Sequence, residues 1–427
     1  MKENSIWNYL PDTALIKIYL CLQDRWRVNM AVVCKNWNRV FASPCLWRTR
    51  YMDLGGYRAI TAGEKACSFA QSHGAHLQYL YLTCNHPTFP SCRIIQNTID
   101  TFLKNIQAAK LIHFELERLN MDTFWKFENL KGKVIGSFTR FFHRQRHLKN
   151  FNMSDAHFSM PSGCRVLEAV GSASGSTIRS LCIEDFFQSR LAVYQDKRFR
   201  NAFFMFNSLS HLYVNYSCLC DEILEGMAAN LTGKLRNISC RIYRTDPHFH
   251  RISSNAWEKL RSRCPMLSLD LWFEGIGMSS EIIPILVPEA PVREVHMWTG
   301  FDESADWRLN ETLNHIATHH RKIVLLAMEL DNNNESIDHC LVRMLTRCKG
   351  MRSLFVNAVI SVPIIDEICT LQANGQIDLH TFHVTSCGLS EIDRSDLWYI
   401  KEKFLPIMLN RGLNFKISSG YFTDTMF

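Results

Sequence analysis

Cys218 and Cys220, in the stretch NYSCLCDEILE, are the one closely spaced cysteine pair in the chain. A structural zinc site needs a second such pair, or histidines at ligand spacing, and neither accompanies them. His143 and His147 in TRFFHRQRHLKN fall four residues apart and could share a helix face, but the arginines around them disfavour a bound cation. The run GSASG at 171–175 puts Ala173 where a nucleophile elbow requires serine. The phosphate-cradling Gly-x-x-x-x-Gly-Lys-Ser/Thr and Gly-x-Gly-x-x-Gly patterns and the zinc-protease His-Glu-x-x-His are missing from the sequence. The reading is therefore of a chain without catalytic, cofactor-binding or metal-binding residues.

What remains is recognition chemistry. Trp272 and Trp298 lie close in sequence to Asp270, Glu294 and His296, and Tyr213 stands between His211 and Asn215. Large aromatics beside polar groups form protein-binding hot spots when the strand or helix that carries them turns them outward. Turned inward, the same tryptophans are core or cap residues. The choice depends on the elements that hold them.

Beyond Tyr51 the pattern apolar-x-x-apolar-x-apolar recurs: Leu77, Leu80, Leu82; Leu111, Phe114, Leu116; Leu148, Phe151, Met153; Ile178, Leu181, Ile183; Leu209, Leu212, Val214; Leu235, Ile238, Cys240. It continues as Met266, Leu269, Leu271; Val292, Val295, Met297; Ile323, Leu326, Met328; Met351, Leu354, Val356; and Leu379, Phe382, Val384. Steps between first anchors range from 26 residues (Leu209 to Leu235) to 37 (Leu111 to Leu148). Segments of helical character fall between them, as in DEILEGMAANL (221–231), NAWEKLRSR (255–263) and ESIDHCLVRMLTR (335–347). A short strand followed by a helix at this period predicts an α/β repeat solenoid of leucine-rich-repeat type over 76–390, each unit burying its apolar face against its neighbours. The consensus asparagine after the strand is mostly missing. Residues 52–75 read as linker and first cap. Residues 391–427 read as a terminal cap, with a helix near 396–409 and a strand through Leu413, Phe415 and Ile417.

In such a repeat the residues two, four and six positions after the first anchor fall on the exposed, concave strand face. After Leu209 these are His211, Tyr213 and Asn215; after Met266, Ser268, Asp270 and Trp272; after Val292, Glu294, His296 and Trp298. The rule places Trp272 and Trp298 in one column on adjacent repeats. Tyr213, Asp270, Trp272, Glu294, His296 and Trp298 are accordingly the candidate substrate-binding residues.

The first fifty residues are organised differently. Pro11 suits the first position of a helix whose stripe is Leu15, Ile18 and Leu22. Asp24 is a plausible N-cap for a second helix with Met30, Val33, Trp37, Val40 and Phe41 on one face. Ser43-Pro44 then opens a short third helix carrying Leu46 and Trp47. Three helices of this size cannot bury so much apolar surface alone, so a partner is expected. Leu10-Pro11, Leu15, Ile18, Leu22, then Val33-Cys34-x-x-Trp37 and Leu46-Trp47, in this order and spacing over 5–51, resemble the F-box. The resemblance implies docking to the Skp adaptor of a cullin-RING ubiquitin ligase through those ten residues. With the repeats behind it, the ensemble resembles the F-box only proteins with degenerate leucine-rich repeats, most strongly in IEDFFQSRLAVY (183–194) and NYSCLCDEILE (215–225). The function this implies is that of a non-catalytic receptor recruiting an unknown protein substrate for ubiquitination. A repeat scaffold without a ligase role, or a basic RNA-binding adaptor using residues 139–149, remains open.

Composition agrees with an ordered chain: 427 residues, 47% hydrophobic and 21% charged. The net charge of +7 is the difference between 48 basic and 41 acidic residues without a dominant run, which argues against nucleic acid as the main partner. Neither a signal-peptide pattern nor a stretch of apolar residues long enough to span a membrane is visible. The expected location is cytoplasmic or nuclear, with the sixteen cysteines as reduced thiols.

Overall fold

The computed structural model describes residues 6–55, 58–84, 92–123, 125–299, 308–332 and 335–420. Both ends of the expected boundaries, residues 1–5 and 421–427, lie outside these ranges. The chain divides into two compact units: residues 1–188 with 201–208, and residues 189–200 with 209–427.

The first unit opens with three short helices, α1 (Asp12–Leu20), α2 (Asp24–Ala31) and α3 (Lys35–Phe41), and a 3-10 turn at Pro44–Trp47. The single helix expected from Asp24 through Phe41 is broken. Helix α2 ends at Ala31, the β-branched pair Val32-Val33 follows, and Cys34 is extended at φ −159°, ψ 168° before α3 begins. The break turns Val33 away from Trp37 and out to solvent.

From Thr49 onward strand and helix alternate. The first unit holds β1 (Thr49–Asp53), α4 (Ala59–His73), β2 (Tyr79–Thr83), α5 (Cys92–Asn105), β3 (His113–Glu117), α6 (Glu128–Phe142), β4 (Asn150–Asn152), α7 (Met160–Ser174) and β5 (Ser180–Ile183). These five strands pair in sequence order and in parallel. That geometry follows from a helix between each pair of strands, since only a crossover returns the chain to run the same way. The 52–75 stretch, expected as linker and first cap, holds the helix α4, and β1 before it pairs in register with β2. Helix α8 (Lys197–Phe203) spans the division between the units.

The second unit continues with β6 (His211–Asn215), α9 (Asp221–Asn230), β7 (Asn237–Tyr243), α10 (Ser254–Arg263), β8 (Ser268–Glu274), α11 (Ser279–Ile282) and β9 (Val292–Trp298). After these come α12 (Asn310–His319), β10 (Leu325–Glu329), α13 (Asp338–Arg347), β11 (Ser353–Ala358), α14 (Val362–Ala373), β12 (Thr381–Cys387), α15 (Glu391–Asn410) and β13 (Asn414–Gly420). All are again parallel neighbours. The predicted strand through Leu413 and Ile417 is β13, which adds to β12 as one more repeat. Helix α15 starts where Ser390 and Asp393 form a capping box.

The chain thus carries an α/β array of leucine-rich-repeat type behind a small helical unit. Each repeat anchor named from the sequence is buried except Met266, which is 73% exposed; Leu267 beside it takes the inward place. Among the described residues, no helix is long and apolar enough to cross a membrane.

Candidate functional site

Two surfaces carry the residues that sequence reasoning singled out. In the first unit, Leu15, Tyr19, Trp37, Val40, Leu46 and Trp47 form one buried cluster, with Leu10, Ile18, Cys34 and Phe41 packed against it. Three hydrogen bonds tie it to the backbone: Tyr19 Oη donates to the Trp37 carbonyl (2.9 Å), Trp37 Nε1 to that of Trp7 (2.8 Å) and Trp47 Nε1 to that of Phe41 (3.0 Å). Tyr19 was not among the expected residues, although its i+4 spacing from Leu15 marks it as the next position on that face.

Trp47 is closed over by the chain itself. Its ring stacks on His73 of α4 at 4.2 Å, meets Phe41 edge-on at 5.0 Å and lies under the Arg50 guanidinium at 4.8 Å. Burial, with Arg50 nearby, pushes the His73 pKa below its usual value. The expectation that Trp37, Leu46 and Trp47 wait for a partner to complete their core is corrected here: they are 6%, 3% and 3% exposed, with Tyr19 against Trp37 and with Phe69 and His73 of α4 over Trp47. Of the ten residues expected to contact an adaptor, Leu15, Trp37, Leu46 and Trp47 are buried. Leu10, Ile18, Leu22 and Cys34 are half-buried, and Pro11 and Val33 are exposed. The exposed apolar side chains of this region are, besides Val33, ones outside that set: Trp7, Tyr9, Leu20, Trp26, Val28 and Val32.

In the second unit the strand face opposite the buried anchors holds Tyr213, Asp270, Trp272, Glu294 and His296 half-exposed and Trp298 exposed, the parity expected from the repeat rule. The columns differ from that expectation. Trp272 stands across from His296, and Trp298 from Glu274, so the two tryptophans are one step apart diagonally. Before the register shift between Leu269 and Asp270 the strands lie three residues from the anchor alignment, and the extra β9 residue Arg293 takes up one of them. Leu271 therefore pairs with Val295 and Phe273 with Met297, a slip of two residues from the anchor alignment. A slip of two preserves which face a side chain points to and changes its neighbour.

Trp272 is held in a stack. His296 lies parallel to it at 3.5 Å, 3° between planes, and the Arg241 guanidinium is 5.9 Å from its ring centre. Arg241 Nε is also 3.0 Å from Glu274 Oε1. The next residue in that column is Ala327, across from His296, and Glu329 lies across from Trp298. These side chains line a cavity of about 480 Å³ that includes Arg241, Trp272, Glu274, His296, Trp298, Ala327 and Glu329. Glu329 is 5% exposed, and its Oε1 has no hydrogen-bond partner among the described residues. Burial pushes its pKa up, opposed by the hydrogen bond from the Trp298 indole. Asp270 is raised too, by burial first and by Glu294, against the lowering effect of a 2.6 Å hydrogen bond from Asn237. Tyr213 lies in the column of Ser239, Asp270 and Glu294, outside this cavity.

Arg241 and Glu329 were missed in the sequence, yet both fall six residues after a first anchor, Leu235 and Ile323, where the same rule exposes them. Of the other motifs, Cys218 and Cys220 are buried, and burial with the Glu222 contact pushes the Cys220 thiol up to about 11. No cluster of three metal-ligating side chains occurs among the described residues. In the basic run at 139–149, Phe141 and Phe142 are core residues, Arg140 pairs with Asp100 at 3.1 Å and Arg144 bonds Gln107 at 2.9 Å.

Fold and surface together describe a chain with a small helical unit followed by an α/β repeat array of leucine-rich-repeat type. Residues 7–53 match the family model described as F-box-like, so the chain carries an F-box-like domain ahead of leucine-rich-repeat-like units. Along most of its length it is similar to F-box/LRR-repeat protein 21. It is 23% identical to the Mus musculus protein over 375 residues, 82% of this chain and 76% of that protein. The Bos taurus protein is 23% identical over 375 residues and the Ovis aries protein 21% over 379, with the same two coverages. Among solved structures, a chain of the crystal structure of the TLR13-ssRNA13 complex aligns with a TM-score of 0.35 at 12% identity, over 81% of this chain and 48% of that one, about half its length.

Proposed function

We propose that the protein is the substrate-recognition subunit of an SCF-type E3 ubiquitin-protein ligase, acting in the cytoplasm or nucleus. Its F-box docks on a Skp adaptor and through it on a cullin-RING ligase, while the repeats hold a protein substrate. The observation that carries this reading is the F-box-like match at 7–53, within which Trp7, Tyr9, Leu20, Trp26, Val28, Val32, Val33 and Tyr51 are exposed. Large apolar side chains left in water on a small helical unit suit a protein-docking face.

Recruitment needs no chemistry from this chain. Holding a substrate lysine near an activated ubiquitin thioester raises its effective concentration, which alone accelerates transfer. The buried Trp37, Leu46 and Trp47 then shape the docking face from beneath, and Val28, Val32 and Val33 make the contact. Within the class, the stretches at 183–194 and 215–225 resemble those of F-box only protein 39, and we propose that relation as the specific one. A tagged full chain captured from cells should bring a Skp adaptor and a cullin with it, and lose both when Val32 and Val33 are changed to aspartate. Capture of the intact, folded chain without either protein contradicts the ligase reading.

A further inference from the structure

The outward side chains of β7 through β10 run against the charge of the whole molecule. The chain carries a net +7. That face presents Asp270, Glu274, Glu294 and Glu329, with Arg241 beside Glu274 and Arg293 acting on Asp270. Glu274 is already neutralised by Arg241 at 3.0 Å. Glu329 is not: it is 5% exposed, lines the 480 Å³ cavity, accepts from the Trp298 indole, and keeps Oε1 without a partner among the described residues.

A buried carboxylate oxygen with no donor is costly unless something supplies one. Around it the cavity is shaped for a flat or slender cation. The stack of Arg241, Trp272 and His296 ends at Ala327, whose small side chain separates His296 from Phe355, the next residue in the column. Trp298, 40% exposed, lines the same cavity and offers an aromatic face, which favours a cation. We infer that the pocket formed by Trp298, Ala327, Glu329 and His296 takes a basic side chain, arginine or lysine, from a protein segment laid across β7 to β10. The basic head meets Glu329 Oε1, and its aliphatic stem lies against the Trp298 indole.

The inference rests on the repeat face being the partner-holding surface. Its test contains no ligase component, so its outcome is independent of whether an adaptor is captured. The purified full chain is titrated with fluorescein-labelled hexa-arginine, hexa-lysine and hexa-citrulline peptides, followed by polarisation. The two cationic peptides should bind at least tenfold more tightly than hexa-citrulline. Glu329→Gln, which removes charge and keeps shape, should weaken the cationic peptides at least fivefold while melting at or above the wild-type temperature. Trp298→Ala, at an exposed site, should weaken them comparably, and Glu402→Gln on the remote face of α15 should change nothing. Equal binding of hexa-citrulline, or a folded Glu329→Gln chain that binds hexa-arginine as wild type does, overturns it.

Discussion

Single residues divide here into those that build a surface and those that present it, and Trp47 and Val33 are the sharpest contrast. Both belong to the pattern that resembles an F-box, but Trp47 is 3% exposed and Val33 is 60% exposed. Changing Trp47 to alanine should cost about 3 to 5 kcal/mol, because it empties a fully packed site. It should lower the melting temperature of the first unit, an effect readable by calorimetry. Val33→Asp should leave that temperature close to wild type, since the side chain is already in water, and act on adaptor capture alone. An adaptor assay built on Leu46 and Trp47 would therefore confuse unfolding with lost contact. The sequence carried the identity of these residues but not their exposure: Trp47 is closed by Phe69 and His73 of α4, and nothing local to residues 33–47 signals that wall. The diagonal of Trp272 and Trp298 escaped for a related reason. Their parity was legible in the alternation, whereas their neighbours depend on where Arg293 is accommodated between two strands.

At the scale of elements, the strand–helix alternation was readable because a buried anchor every few residues leaves a periodic trace. The break between α2 and α3, and the repeat helix α4, left a weaker one. Two predictions belong here. Gly175 ends α7 with the site of a Cβ 2.3 Å from the Met205 carbonyl oxygen, a backbone atom that cannot rotate away. Gly175→Ala should destabilise the first unit by about 2 kcal/mol through this overpacking, seen as an earlier urea midpoint. In the second unit, His320 at the end of α12 is 3% exposed and shares the Leu286 carbonyl with His315, at 3.1 and 2.7 Å. Burial pushes its pKa down to about 4 from 6.5. The neutral form is the one the fold accepts, so the stabilisation is complete above pH 6.5. It is lost as pH falls from there towards 4, where the unfolded chain takes up a proton that the folded chain refuses. The loss is on the order of 3 kcal/mol. Stability measured by denaturant titration across that range should fall in the wild type and fall less in His320→Gln.

For the whole molecule, the F-box-like match covers 7–53, and the similarity to F-box/LRR-repeat protein 21 extends over 82% of the chain. In the proposed function the two ends have separate tasks: one would dock on the ligase and the other would hold the substrate. A chain of this design should lose substrate ubiquitination when its docking face is altered while still binding basic peptides through the repeats. It should keep its adaptor when Glu329 is changed. The central claim is the docking, and its most direct measurement is a calorimetric titration of the purified full chain with a purified Skp adaptor. The account predicts a one-to-one complex that Val32→Asp with Val33→Asp abolishes without lowering the melting temperature. No heat of binding from the folded wild-type chain, or an undiminished complex with the double variant, would contradict it.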